Sequence, residues 1–356
     1  MPSETKKHRI FVVNTGSTST KLAFFHNSDP VSAVTINHSN LDLGRFDGTW
    51  GQFAFRLEAS LNWLKKKRFS PSAVVGSGGL LKPIRGGTYI VSDQMISDAK
   101  SNLRGEHASN LGCALAQSIA RNYRCPAYVV DPVSVDEFEP LARYSGHPMI
   151  VRQSLSHALN IHAVARREAE KLGMELCETN FIVAHLGGGI SIAPVRGGKI
   201  IDVNDASSDG PFSPDRTGGL PLQGFIGLCY SGKYLEHEMR SMVMGKGGLM
   251  AYLQTNSAKE VEKRIESGDA LAQEVYGAMA YQIAKEIGAM STVLKGRLDA
   301  IILTGGLANS KLLTTWIKER VDFIAPVETC PGDDEMSSMA HGALRVLRCQ
   351  EKALTY

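Results

Sequence analysis

The first residues whose types could do chemistry form the stretch N-T-G-S-T-S-T-K at positions 14–21, after a predicted strand. A glycine in a tight hairpin leaves backbone N–H groups free to point at an anion, and serine and threonine hydroxyls add further donors. Lys21 adds a positive charge at the end of the stretch. Such a loop could bind phosphate, but taken alone it is explained better as an ordinary polar β-turn.

A second candidate is the stretch H-L-G-G-G at positions 185–189. Three glycines let a phosphate approach the backbone, and His185 could donate a hydrogen bond to it. A lone histidine at a strand end is more often structural. Here, however, the stretch lies in a second hairpin of the same plan as the first, which favours the functional interpretation.

Two further loops carry residues suited to a nucleotide. D-G-P-F-S-P-D-R-T-G-G-L-P, residues 209–221, is centred on Arg216, whose planar guanidinium could donate to two oxygens of a transferring phosphoryl group. L-T-G-G-L-A-N-S, residues 303–310, is typical of a strand–Gly-Gly–helix turn whose backbone could lie against an adenine or a ribose. The alternatives are a solvated surface arginine and an ordinary turn between strand and helix.

Carboxylates that could hold a metal ion are isolated rather than clustered. Asp131 follows a predicted strand, and Glu335 lies in the stretch D-D-E-M at 333–336. Mg²⁺ is usually held by one or two carboxylates together with water and substrate phosphates, so two separate acids could suffice. Composition alone does not distinguish such ligands from surface acids.

The elements that must position these residues form two similar blocks about 170 residues apart. Each block has the pattern strand–turn–strand–turn–strand, with strands expected over residues 9–14, 21–25 and 31–36 in the first and 181–184, 190–195 and 200–203 in the second. The repeated pattern predicts two domains of the same plan, produced by a duplication.

Each block is followed by helices that alternate with single strands. Such alternation predicts an α/β fold with a mostly parallel or mixed sheet and ligands at the strand ends. No long linker is present, so we expect the two halves to pack around a cleft. The expected strands cover residues 73–75, 127–130 and 300–303, and the expected helices about 107–122, 151–172, 271–294 and 335–349.

The composition argues against several other classes of protein. The net charge of +3 over 356 residues is too small to indicate a nucleic acid or an anionic membrane as partner. No apolar run is long enough to span a membrane and no secretory leader is visible, which favours the cytoplasm. The six cysteines are widely spaced, without a C-x-x-C pair, which predicts buried, reduced thiols. The stretch 227–234 nearly matches a P-loop. It ends in Tyr234, however, where a P-loop has a serine or threonine whose hydroxyl binds Mg²⁺.

These motifs together resemble those of the acetate and butyrate kinase family, which has the actin–hexokinase–Hsp70-like fold. The resemblance runs nearly end to end. It rests on eight ordered motifs: NTGSTSTK (14–21), GEHASNLG (105–112), VDPVSVDE (130–137), SGHP (145–148), SHALN (156–160), AHLGGGIS (184–191), DGPFSPDRTGGLP (209–221) and ILTGGLANS (302–310).

The resemblance implies an α/β fold of two domains with duplicated actin- or ribonuclease H-like βββαβαβα topology around a central cleft. The N-terminal domain would comprise residues 1–178 and a returning helix at about 335–356, and the C-terminal domain residues 179–334. The implied reaction is a reversible, Mg²⁺-dependent transfer from ATP to a short-chain carboxylic acid, with butyrate as the expected acceptor, giving ADP and an acyl phosphate. The family suggests a homodimer or larger homo-oligomer.

The resemblance also implies roles for individual residues. His107, Asp131, His185 and Arg216 would be catalytic, with His185 near the γ-phosphate and Arg216 holding the transferring group. Asp131 and Glu335 would bind Mg²⁺. The nucleotide would be bound by Asn14, Ser17, Ser19 and Lys21 of the first hairpin, Gly187, Gly188 and Gly189 of the second, and Gly305, Gly306 and Asn309 of the adenosine loop.

One departure from the family pattern concerns the acyl side of the site. The family usually has an arginine where this chain has Ser77, and loss of that charge should weaken carboxylate binding unless Arg85 replaces it. Ser77→Arg is therefore expected to lower the KM for butyrate. The remaining alternatives are a kinase for propionate or branched acids such as isobutyrate, a nucleotide-binding homologue with weakened catalysis, and a sugar or glycerol kinase of the same superfamily.

Overall fold

The computed structural model describes residues 7–332 and 334–356, which pack into two units. Residues 7–136 and 334–356 form the N-terminal unit, and residues 137–332 form the C-terminal unit. The family resemblance implies that residues 137–178 belong to the first domain, whereas their contacts group them with the second. The reason is that the helix at Ala158–Leu172 packs on the strands of the C-terminal unit.

The N-terminal unit is built on a six-stranded sheet with the order β3-β2-β1-β4-β6-β5. β1 pairs antiparallel with β2 and parallel with β4, and β4 pairs parallel with β6. The parallel strands are short, uncharged and buried, as expected of strands that are covered on both faces. The strands are β1 (Arg9–Thr15), β2 (Ser19–His26), β3 (Asp29–Asn37), β4 (Ala73–Gly76), β5 (Thr88–Ile90) and β6 (Ala127–Val130).

Helices on the faces of this sheet bury the apolar core of the N-terminal unit, which includes Phe11, Phe24 and Ile119. A 3₁₀ helix at Ala108–Leu111 leads directly into the fifth helix, so the expected helix over 107–122 has a tighter first turn. The helices are α1 (Asn40–Leu43), α2 (Gly48–Gly51), α3 (Phe53–Lys67), α4 (Asp93–Lys100) and α5 (Gly112–Tyr123).

The C-terminal unit repeats this plan in a five-stranded sheet of order β11-β10-β7-β8-β9. β7 pairs antiparallel with β8 and parallel with β10, and β10 pairs parallel with β11. The strands are β7 (Asn180–Leu186), β8 (Ile190–Arg196), β9 (Lys199–Ile200), β10 (Ala300–Gly305) and β11 (Val327–Pro331).

Seven helices of the described C-terminal unit accompany this sheet. The longest of them buries a stripe that includes Val275, Met279 and Ile283 against the sheet, as the spacing of its apolar residues predicts. Short 3₁₀ helices lie at Pro140–Arg143, Leu176–Glu178 and Gly306–Asn309. The helices are α6 (Ala158–Leu172), α7 (Leu222–Cys229), α8 (Glu236–Val243), α9 (Gly248–Leu253), α10 (Ala258–Glu266), α11 (Ala270–Val293) and α12 (Lys311–Val321).

The last helix, α13 (Glu335–Leu347), returns to the N-terminal unit and packs on β1, β4 and β6. Gly342 allows this close approach, because a Cβ there would lie 2.4 Å from Cγ1 of Val130. The strand order β3-β2-β1-β4-β6 in the first sheet is matched by β9-β8-β7-β10-β11 in the second. This match confirms the repeat that the sequence predicts.

Three local expectations are wrong. Helix α6 begins at Ala158 rather than near residue 151, because the preceding segment is held by Arg152, whose guanidinium donates to the carbonyls of Ala142 and Val203. His185 lies within β7 rather than in the turn, since the ladder to β8 continues to Leu186. The third strand of the second block pairs only over Lys199–Ile200.

All six cysteines are free thiols, as expected, but they are not all buried. Cys113 is buried within α5. The exposed thiols are Cys177 in the 3₁₀ helix at Leu176–Glu178, Cys229 at the end of α7 and Cys349 beyond the end of α13. Among the described helices none combines the length and the apolar character that a membrane span requires.

Candidate functional site

In the N-terminal unit, the first hairpin and the last helix bring three predicted site residues together. Asn14 near the end of β1 pairs across the ladder with Lys21 of β2. The Asn14 Nδ2 donates to Oε2 of Glu335 at 2.6 Å, and the Lys21 Nζ lies 3.9 Å from the same oxygen. Glu335 opens α13, so residues more than 300 positions apart share one edge of the sheet.

Two more candidates follow the neighbouring parallel strands at that edge. Asp131 comes directly after β6 and is buried, with a positive φ of 38°, which is uncommon outside glycine although aspartate adopts it more readily than most residues. Its Oδ1 accepts a hydrogen bond from the Gly87 N–H at 2.7 Å. Ser77 follows β4, and its Oγ lies 3.1 Å from Oγ1 of Thr15 at the end of β1. The carboxyl ends of β1, β4 and β6 therefore form one polar edge.

The side chain of Ser77 brings no charge to this edge, and Arg85 does not replace the missing arginine by contact. The Arg85 side chain is exposed and makes no hydrogen bond or ion pair with any residue in the described part of the chain. The expected effect of Ser77→Arg on the KM for butyrate stays a prediction.

His107 immediately precedes the 3₁₀ helix of the N-terminal unit. Its Nδ1 accepts a hydrogen bond from the Ser109 N–H at 3.2 Å and lies 2.7 Å from Ser109 Oγ. Desolvation of the ring lowers the pKa of His107, which favours the neutral form. A neutral ring that accepts at Nδ1 carries its proton on Nε2, so His107 can act there as a hydrogen-bond donor.

In the C-terminal unit, His185 is the counterpart of Asn14, since each is the last residue but one of the first hairpin strand. His185 is buried, and its Nδ1 lies 2.9 Å from Oδ1 of Asn160 on α6. The ring of His157 stacks on it with a centroid distance of 3.8 Å, and the His157 Nδ1 lies 3.0 Å from Ser191 Oγ.

Both stacked histidines are held neutral. Burial, with the Arg216 charge as a second cause, lowers the pKa of His157 to about 4. Burial also holds the pKa of His185 well below its usual range. With Asn160 Oδ1 as acceptor, the neutral His185 carries its proton on Nδ1 and presents a lone pair at Nε2. Donation to a phosphate from Nε2 therefore requires a second proton or rotation of the Asn160 amide.

The glycine turn after β7 lies against His185 on one side and Arg216 on the other. A Cβ built on Gly187 would be 3.1 Å from Nε2 of His185, and one built on Gly189 would be 2.5 Å from NH1 of Arg216. A side chain at Gly187 would crowd the His185 ring, and one at Gly189 would require the Arg216 guanidinium to shift. A Cβ on Gly188 would meet nothing within 4 Å, and Gly188 has no positive φ. Gly188 leaves space that a ligand could fill.

Arg216 is anchored at one end of its guanidinium. NH1 donates to the Ala206 carbonyl at 3.0 Å, and Nε lies 3.8 Å from Oδ1 of Asp215 without a hydrogen-bond partner among the described residues. The buried hydroxyl of Ser213, from the same loop, donates to the Gly188 carbonyl. Because a trans peptide directs its C=O and N–H to opposite sides, the Gly189 N–H points away from Ser213.

The proposed adenosine loop shows the same contrast between two glycines. Gly305 has φ of 86°, and a Cβ there would lie 2.4 Å from the Leu186 carbonyl oxygen, so the fold itself demands glycine. A Cβ on the exposed Gly306 would meet nothing within 4 Å. Asn309 Nδ2 donates to the Gly306 carbonyl at 3.0 Å, and both residues are exposed.

The predicted residues therefore form two groups, one within each unit. The N-terminal group contains Asn14, Lys21 and Glu335, and Asp131 lies at the same edge of the sheet. No cluster of three or more His, Cys, Asp or Glu side chains suited to a metal occurs in the described chain. Two carboxylates with hard oxygen donors nevertheless fit Mg²⁺, which keeps water and substrate oxygens as its other ligands.

Asn160, His157 and Ser213 contact predicted site residues but were not predicted individually. The motifs SHALN and DGPFSPDRTGGLP contain them, so the stretches were visible in the sequence. Which member of each stretch faces the glycine turn depends on long-range packing, which the sequence does not reveal.

The comparisons with known proteins agree with this geometry. The model of the acetokinase family matches residues 140–325. Butyrate kinase 2 of Clostridium acetobutylicum is 48% identical over 354 residues, covering 98% of this chain and 99% of that protein. A probable butyrate kinase 2 of Caldanaerobacter subterraneus subsp. tengcongensis is 49% identical over 351 residues, with 98% and 99% covered.

Solved structures of low sequence identity share the fold. The acetate kinase of Porphyromonas gingivalis matches with a TM-score of 0.75 at 17% identity, covering 96% of this chain and all of that one (100%). A propionate kinase of Francisella tularensis matches with a TM-score of 0.74 at 19% identity, covering 94% and 98%. These likenesses confirm the expected two-sheet α/β fold, and with the full-length relatives they show that the chain belongs to the acetokinase family.

Proposed function

We propose that this protein transfers the γ-phosphoryl group of ATP to the carboxylate of butyrate, giving ADP and butyryl phosphate, and that it also runs the reverse reaction. The observation that carries the proposal is the 48% identity to a butyrate kinase over 98% of the chain. The family and its curated relatives are named as kinases of carboxylic acids, which supports a carboxylate as the acceptor. Butyrate is the specific acceptor in the relatives' names.

The chemistry explains why the site contains donors and cations rather than a strong base. A carboxylate is already ionised at neutral pH, so no proton has to be removed from the nucleophile. The obstacle is the approach of one anion to another, and alignment with positive charge around the γ-phosphoryl group overcomes it. Arg216 would supply charge in the C-terminal unit. The Gly189 N–H and the neutral His185 would supply donors, with His185 donating from Nε2 after rotation of the Asn160 amide.

In the N-terminal unit, Asn14 and Lys21 would bind phosphate oxygens, and Asp131 and Glu335 would hold Mg²⁺. When bound, Mg²⁺ neutralises negative charge on the phosphates. Glu335 keeps the Asn14 amide oriented by accepting its hydrogen bond. His107 would donate from Nε2 to the carboxylate or to the transferring group.

An ATP-dependent hydroxamate assay tests the proposal, because hydroxylamine traps acyl phosphates. The acceptors are acetate, propionate, butyrate, isobutyrate and valerate, each with and without Mg²⁺. We expect the highest kcat/KM with butyrate and no product without Mg²⁺. A higher value with isobutyrate or propionate would correct the acceptor. ATP binding without product from any acid would favour a nucleotide-binding homologue with weakened catalysis, for which the uncharged Ser77 is the structural reason.

An arginine pair provides the matched control for this assay. Arg216→Ala should lower kcat about 100-fold, as loss of a donor to a developing charge does. Arg240→Ala removes an exposed arginine of α8 that pairs with Glu236, and it should leave kcat unchanged. Equal effects of both substitutions would contradict the role proposed for Arg216.

We further propose that the protein forms a homodimer or larger homo-oligomer and acts in the cytoplasm. The support for assembly is α7, an apolar helix in which no residue is buried. Leu222 and Ile226 of α7 are 72% and 48% exposed, and Tyr230, which directly follows the helix, is 88% exposed, an arrangement typical of a face that a partner covers. Six free thiols and the use of ATP fit a reducing compartment.

A further inference from the structure

A fully buried arginine supports the turn of the first hairpin. Arg56 of α3 is 0% exposed, and its five N–H groups make five hydrogen bonds within the N-terminal unit. NH1 donates to the Ser19 carbonyl at 2.7 Å and to Thr20 Oγ1 at 3.0 Å. NH2 donates to the Ser17 carbonyl at 3.0 Å and to Gln52 Oε1 at 2.9 Å, and Nε donates to the same Gln52 oxygen at 3.1 Å.

The charge of Arg56 is not neutralised by any carboxylate in the described part of the chain. Its acceptors are two backbone carbonyls, a hydroxyl and an amide, all of them neutral. His38, which lies 2.9 Å from Thr20 Oγ1, is itself kept neutral, because burial and the Arg56 charge lower its pKa. A buried cation without a counter-ion is costly, so a compensating anion is expected nearby.

Arg56 also determines which groups the turn presents to solvent. The carbonyls of Ser17 and Ser19 point to the guanidinium, and the carbonyl of Thr18 accepts a hydrogen bond from the His38 N–H at 2.8 Å. The carbonyls of Ser17, Thr18 and Ser19 are therefore occupied. Because the N–H of a trans peptide points away from its C=O, the Thr18 N–H faces away from Arg56. The exposed part of the turn, Ser17 and Thr18, offers hydroxyl and N–H donors.

We propose that Arg56 is a positioning residue for phosphate binding: it holds the carbonyls of Ser17 and Ser19 inward and places an uncompensated positive charge behind the turn at residues 16–19. This inference rests on the proposed function, because it takes the anion to be a phosphate of ATP or of the acyl phosphate. The turn itself belongs to that proposal, whereas Arg56 lies outside every motif from which the site was predicted.

Gln52→Glu tests the electrostatic part of the inference without removing Arg56. The new carboxylate is nearly isosteric with the amide and can accept the same two hydrogen bonds, but it neutralises the guanidinium. We expect the Kd for ATP to rise about five- to tenfold by isothermal titration calorimetry, with a melting temperature that is unchanged or higher. A purely structural Arg56 predicts an unchanged Kd, and that result would overturn the proposal.

Arg56→Lys tests the positioning part, since an ammonium keeps the charge but cannot reach both carbonyls and Gln52 as a planar fork does. We expect a KM for ATP raised about tenfold or more, with a smaller change in the KM for butyrate. The matched control is Ser60→Ala, which removes a buried hydrogen bond to the Arg56 carbonyl on the same helix without touching the turn. Ser60→Ala should leave both KM values unchanged, and equal effects of the two substitutions would contradict the inference.

The outcomes separate this inference from the proposed function. If the wild-type protein binds ATP but phosphorylates no carboxylate, the proposed function fails, and the titration of Gln52→Glu still decides the role of Arg56. If the wild-type protein binds no ATP, the role of Arg56 is rejected as well. If Arg56→Lys does not fold, Gln52→Glu alone carries the decision.

Discussion

Gly188 is the residue of the second hairpin that has no structural reason to be glycine. Its φ is not positive, and a Cβ there would meet nothing within 4 Å, whereas Gly187 and Gly189 are pressed against His185 and Arg216. A glycine that packing does not require is explained by the close approach of a ligand to the backbone.

Gly188→Ala should therefore weaken ATP binding without destabilising the protein. We expect a Kd for ATP raised about tenfold, because the methyl group occupies space proposed for a phosphate, and a melting temperature that is unchanged or slightly higher. Gly288→Ala is the control for ATP binding, since a Cβ at that position in α11 also meets nothing within 4 Å and lies outside every motif of the predicted site. Titration calorimetry and differential scanning fluorimetry measure the two effects, and an unchanged Kd would contradict the phosphate assignment.

The stacked histidines predict how stability depends on pH. The pKa of His157 is about 4 in the folded protein against an ordinary value of 6.5, so the unfolded chain binds more protons between those two values. The free energy of unfolding should therefore fall as the pH falls from about 6.5 to about 4. His157 contributes up to roughly 3 kcal/mol over this window.

His157→Gln isolates this contribution, because the variant cannot take up a proton at that position. The melting temperature of the wild-type protein should fall between pH 7 and pH 4.5 by about 5 °C more than that of the variant. His162→Gln is not a suitable control, because His162 pairs with Glu137. The exposed His237 is suitable, and His237→Gln should keep the wild-type pH dependence. Parallel curves for the wild-type protein and His157→Gln would contradict the prediction.

At the scale of elements, the hairpins and the central strands could be predicted from sequence, because their signal is local. Runs such as Ile10–Val13 and Ile301–Leu303 are uninterrupted apolar segments between turn residues, which is what strands buried on both faces require. Strands β5 and β11 were not predicted, since they are short edge strands whose existence depends on a neighbouring strand.

The candidate site was predictable where it lies at a strand end and less so where it depends on distant packing. Asn14 and His185 follow from the duplicated hairpin, but the hydrogen bond of Asn14 to Glu335 joins residues 321 positions apart. Arg56 shows the limit most clearly. In the sequence it is an ordinary charged residue of an amphipathic stretch, and only tertiary structure buries it beneath the turn.

Helix α7 is apolar, but none of its residues is buried within the described chain. Leu222→Glu should therefore lower the mass of the assembly, measured by light scattering after size-exclusion chromatography, because a charge at a covered apolar interface is costly. Leu41→Glu is the control, since Leu41 is 82% exposed on α1 of the other unit. An unchanged mass for Leu222→Glu, or an equal loss for Leu41→Glu, would show that α7 is not the interface.

At the scale of the whole molecule, the duplication places an equivalent turn, for which we propose anion binding, in each unit. In both turns a side chain from outside the hairpin holds carbonyls inward: Arg56 binds those of Ser17 and Ser19, and Ser213 binds that of Gly188. The two hairpins differ in the residue before the turn, an amide in Asn14 and an imidazole in His185. One ancestral hairpin thus explains two turns in which a backbone N–H points away from the side chain that binds the carbonyl of the same peptide.

If both turns bind the same nucleotide, ATP must protect amides in both units against hydrogen exchange. We expect slower exchange at residues 14–21 and at 185–191 when ATP and Mg²⁺ are added, because bound phosphate oxygens occupy the N–H groups of both turns. Adenosine, which lacks phosphates, is the control and should protect only the region of Gly305 and Gly306. Protection by ATP that is confined to one unit would mean that the hairpin of the other unit is an ordinary polar turn, whatever the duplication of the fold suggests.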